Sequence, residues 1–71
     1  MNNDHELRKS MKKNYYVCYG IPYINGMSIN TSIVTITVNE GMSQGQIART
    51  LETELVNIHD MGLSIINFWE M

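Results

Sequence analysis

Two alternating runs flank Asn25-Gly26, and they restrict what this chain can fold into more than any other feature. In the first, Tyr15, Val17 and Tyr19 alternate with Tyr16, Cys18 and Gly20, and aromatic and β-branched residues dominate, which is the pattern of a strand. The second, "INTSIVTITV", occupies residues 29–38. Asn25 and Gly26 both tolerate positive φ, as a type I′ hairpin turn requires. With those two residues as the loop, Val17 falls across from Val34, Tyr15 from Ile36 and Tyr19 from Ser32, while Cys18 faces Ile33. One side of the hairpin is then mostly apolar. The other, with Tyr16, Cys18, Ile24, Ile29, Ile33, Thr35 and Thr37, is half polar, and a one-residue slip would mix the two sets. Pro22 lacks an amide donor, so residues 21–30 are expected to form a protruding tip at or beyond the edge of the regular ladder.

A helix follows. Ser43 and Gln46 stand in capping-box positions in "SQGQ", and Ile47, Leu51, Leu55 and Ile58 recur at helical spacing with Arg49, Glu52, Thr53 and Asn57 on the outside. Gly62 suits the left-handed position after the helix end. The closing run "LSIINFW" is a strand by composition and is apolar on both sides. Leu63, Ile65 and Trp69 lie on one side by strict alternation, opposite Ser64, Ile66 and Phe68.

The expected fold is therefore α+β: a three-stranded, mainly antiparallel sheet of ββαβ sequence and spatial order 2-1-3, with one helix packed on one face. A single helix cannot cover both faces. The uncovered side is expected to carry Tyr16, Cys18, Ile33, Leu63, Ile65 and Trp69, a contiguous apolar surface of the kind that marks a protein interface. At 71 residues the chain is one domain that buries only roughly 60% of its unfolded surface, so self-association is a natural way to add core.

The basic residues cluster at one end. Residues 1–13 hold Arg8, Lys9, Lys12 and Lys13 against Asp4 and Glu6, whereas from Asn14 onward Arg49 stands against Glu40, Glu52, Glu54, Asp60 and Glu70. Residues 1–13 also lack apolar periodicity, so they read as a flexible basic lead-in, with the domain at 14–71; Met11 before Lys12-Lys13 also resembles a translation start. An acidic body repels phosphate. Nucleic-acid binding, the alternative function, would rest on Arg8, Lys9, Lys12 and Lys13 together with Tyr16.

No arrangement of residue types calls for an enzyme. Cys18, His59 and Asp60 contain the elements of a thiol nucleophile, a base and an orienting carboxylate, but the plain reading is a small strand residue and a polar helix end. Glu52 and Glu54 are two apart on a helix and point in different directions. "GMSQGQ" lacks the Lys-Ser/Thr ending of a P-loop, and its capping role accounts for it. The single cysteine excludes an internal disulfide and has no partner cysteine for zinc, so no cofactor or metal is expected. No run of about 18 apolar residues and no leader-like segment is present, which makes the cytoplasm the expected compartment and leaves no membrane partner.

The Lys-rich run into a tyrosine strand ("MKKNYYVCYG"), the Asn-Gly hairpin, the single helix and the closing "SIINFWEM" resemble the small, uncharacterised proteins encoded by bacteriophages and prophages. The resemblance covers residues 11–71 as an order of elements and assigns no residue a role. It implies a protein that binds and inhibits or redirects a host protein; with no catalytic set and an uncovered sheet face, the expected function is a non-enzymatic protein-binding module, expected as a homodimer.

Overall fold

The computed structural model describes residues 10–71. Strand β1 (Ser10–Tyr23) and strand β2 (Gly26–Asn39) form a long hairpin, helix α1 (Gln44–His59) follows, and β3 (Ser64–Glu70) closes the sheet. The strand order is β2-β1-β3, with β1 antiparallel to both neighbours. The expected ββαβ architecture is therefore the observed one. Because β2 and β3 both run against β1, they are parallel to each other, and α1 is the crossover that joins them.

The hairpin register differs from the expected one by two residues. Tyr23 pairs with Gly26, and the ladder then sets Tyr15 opposite Val34, Tyr16 opposite Ile33, Val17 opposite Ser32 and Cys18 opposite Thr31. The turn consists of Ile24 and Asn25, neither of which has positive φ, so it is not type I′; Gly26, at φ +152, carries the backbone conformation that other residues rarely adopt. A shift of two keeps every side chain on its face. Tyr15, Val17, Tyr19, Ile21, Val34, Ile36 and Val38 all lie in the core, as the alternation requires.

Strand β1 begins at Ser10, so Ser10–Lys13 pair with Ile36–Asn39 rather than belonging to a lead-in that ends at residue 13. The rest of that segment, residues 1–9, lies outside the described residues. At the other end β3 pairs only with Tyr15–Gly20, so Pro22 sits where β1 has a single neighbour, and the hairpin, still paired as far as Tyr23 and Gly26, extends past the end of β3.

Helix α1 starts with the expected capping box. The Ser43 amide donates to Gln46 Oε1 at 2.8 Å and the Gln46 amide to Ser43 Oγ at 3.2 Å. Ile47, Leu51 and Leu55 are its buried residues, whereas Ile58 is 65% exposed and is not part of the stripe. His59 takes the next inward position, and its Nε2 lies 2.8 Å from the hydroxyl of buried Tyr19. The left-handed residue after the helix is Asp60 (φ 57, ψ 39), whose amide donates to the Val56 carbonyl, so the expected role of Gly62 falls two residues earlier.

Candidate protein interface

Each strand directs alternate residues away from α1, and on that open face the central row runs Trp69, Tyr16, Ile33 across β3, β1 and β2. The Tyr16 and Trp69 ring centroids are 5.8 Å apart with planes tilted by 35°. Both rings remain accessible, at 42% and 50%, and Ile33 is exposed beside them. The separation and tilt are those of a favourable aromatic pair, and the two rings together present a broad apolar platform on the open sheet.

The adjoining row is Asn67, Cys18 and Thr31, with Cys18 half-buried. Beyond it Gly20 faces Ile29, and the Met27 side chain lies across Gly20: a Cβ built there would collide with Met27 Sδ. The missing side chain lets Met27 lie flat and extends the apolar surface toward the tip. In the other direction the face turns polar, with Thr35 Oγ1 donating to Asn14 Oδ1 at 2.6 Å and Ser10 Oγ to Asn39 Oδ1 at 2.9 Å. Among the described strand residues, Lys12 is the one charge on this face.

Of the six residues expected on the open face, Tyr16, Cys18, Ile33 and Trp69 are there. Leu63 and Ile65 are not. The pairing of β1 with β3 skips between Cys18↔Asn67 and Tyr19↔Ile65, so Ile66 is an extra residue in β3. Such a bulge breaks strict alternation. N-terminal to it the sides exchange: Ile65 packs against the core, Leu63 is buried at 6%, and half-exposed Ile66 lines a shallow hollow with Ala48 of α1. C-terminal to it Phe68 faces inward, its ring 5.9 Å from that of Tyr15, and Trp69 faces out as expected. Ile29 lies on this side of the hairpin as expected, though it is not among the six, and Met27 joins it; parity with Ile33 is the signal that places Met27 there.

Of the four basic residues, the structure describes Lys12 and Lys13, and these point to opposite faces of the sheet. Lys13 Nζ lies 3.4 Å from the Glu70 carboxylate on the helix side, Lys12 projects from the opposite face, and Arg8 and Lys9 lie outside the described residues. Cys18 is likewise separated by the sheet from His59, which is engaged with Tyr19 on the helix side. Among the described residues no three His, Cys, Asp or Glu side chains converge as a metal site would require, and no helix is long and apolar enough to cross a membrane.

No protein-family model matches the chain, and no curated protein or solved structure is significantly similar to it.

Proposed function

We propose that this chain is a non-enzymatic protein-binding module, homodimeric and acting in the cytoplasm, that inhibits or modulates a host protein in the manner of small phage and prophage proteins. The observation that carries this reading is the Trp69-Tyr16-Ile33 row, flanked by Cys18, Ile29 and Met27, on a face where the described strand residues place one charged side chain. Exposed aromatics on a rigid sheet give much contact area for little lost entropy, the property that enriches Trp and Tyr among binding hot spots. The near absence of charge lowers the cost of desolvating this surface.

The test is affinity capture from a bacterial lysate by the tagged protein, read by mass spectrometry beside Tyr16→Ala and Trp69→Ala. A host protein enriched by the wild type and lost with both variants supports the reading. Retention of the same protein by both folded variants would remove the open face as the binding surface.

A further inference from the structure

The two edges of the sheet are unlike. At the β3 edge the exposed strand is 7 residues long, interrupted by the bulge at Ile66 and ended by Glu70, which are devices that discourage pairing with another strand. The β2 edge has none of them: Gly26–Asn39 runs for 14 residues without a charge, a proline or an irregularity in its pairing with β1. No described strand pairs with its outer side.

The direction of its free main-chain groups follows from one contact. The Met71 amide donates to the Asn14 carbonyl at 2.9 Å, so the Asn14 main chain points toward β3. Main-chain direction alternates along a strand, so Tyr15 points toward β2, where its partner is Val34. Val34, Ile36 and Ser32 therefore bond to β1, and Ile29, Thr31, Ile33, Thr35 and Thr37 direct their amides and carbonyls outward.

We infer that this edge is the seam between two copies of the chain, joined by antiparallel pairing of β2 with its symmetry mate around Ile33. The inference rests on the homodimer reading above and names its geometry. A two-fold axis through that pair sets Ile33 opposite Ile33 of the second copy and Thr31 opposite Thr35. It uses nearly the whole length of the strand. The apolar row then runs unbroken through both molecules, from Trp69 and Tyr16 of one to Tyr16 and Trp69 of the other, across the two isoleucines. Both chains are acidic beyond the lead-in, yet no like charges meet, because β2 has none. The result is one six-stranded sheet with both helices on the same side and one enlarged open face.

Sedimentation and cross-linking test the seam. Thr31→Pro removes an outward amide and leaves the donors that bond to β1 in place. It should weaken self-association by about tenfold or more, as expected for a lost hydrogen bond that also strands a buried carbonyl. Trp69→Ala, away from the seam, should remain dimeric. In a Cys18→Ser background, Ile33→Cys should form a covalent dimer on mild oxidation. Thr31→Cys alone should not, while a mixture of Thr31→Cys and Thr35→Cys chains should. A wild-type monomer would overturn both the seam and the homodimer, leaving host-protein capture to be judged separately. A dimer that survives Thr31→Pro and fails to cross-link through Ile33→Cys would overturn the seam while the homodimer stands.

Discussion

The hydroxyl of Tyr19 and Nε2 of His59 meet at 2.8 Å, joining the central strand to the last turn of the only helix among the described residues. Tyr19 is buried and His59 half-buried, so the contact is partly shielded from water. Tyr19→Phe keeps the ring and deletes the bond. The expected cost is about 0.5 to 1.5 kcal/mol in urea unfolding. A variant as stable as the wild type would mean that water replaces the hydroxyl without loss.

Leu51 is fully buried in the middle of the helix stripe, and Ile58 on the same helix is largely exposed. Leu51→Ala should cost about 2 to 5 kcal/mol, a large fraction of what so small a domain can have. Ile58→Ala should stay within about 0.5 kcal/mol. Comparable losses for the two, measured by denaturant titration, would contradict the observed orientation of α1.

Phe68 and Trp69 are neighbours on β3 with opposite duties. Phe68→Ala should destabilise the fold by about 2 kcal/mol or more, because its ring packs on Tyr15 and the core. Trp69→Ala should leave a cooperative thermal transition and weaken the proposed binding of a host protein by about 2 kcal/mol, the hot-spot threshold. If Trp69→Ala unfolds the domain while Phe68→Ala is tolerated, β3 is turned over.

Asp60 holds a left-handed conformation just past α1, where the carbonyl end of the helix disfavours negative charge. Asp60→Gly removes both penalties and should raise stability by about 0.5 to 1 kcal/mol. An unchanged or lowered melting temperature would show that the carboxylate has a compensating role.

What could be read from the residues was decided by periodicity. The core face of the hairpin is the same in the expected and the observed registers, which differ by two residues, because side chains alternate with period two and Tyr15, Val17 and Val34 stay inward whichever partner each has. The turn differs: Asn25-Gly26 permits a type I′ loop, but Ile24-Asn25 closes the hairpin, and residue preference alone does not distinguish them. The bulge left no mark at all. Leu63, Ile65 and Ile66 are all apolar, so an inserted residue changes their sides without changing the pattern. Ile58 and His59 present the complementary case, in which a polar residue turns inward because Tyr19 supplies a partner and an apolar one is left outside.

The order of pairing also sets an order in time. Strands β1 and β2 meet across a two-residue turn, whereas Gly20 and Ser64, or Tyr15 and Glu70, must find each other across most of the chain. Local hairpins close in microseconds, and distant pairings carry the larger loop-closure entropy. β3 is therefore expected to dock after the folding barrier. Phe68→Leu should then accelerate unfolding and leave the refolding rate nearly unchanged, while Val34→Ala slows refolding. A refolding rate slowed equally by both would place β3 in the nucleus. Late docking makes β3 a latch on a ribbon that is already formed, and its release would free the β3 side of β1 for a strand from another molecule.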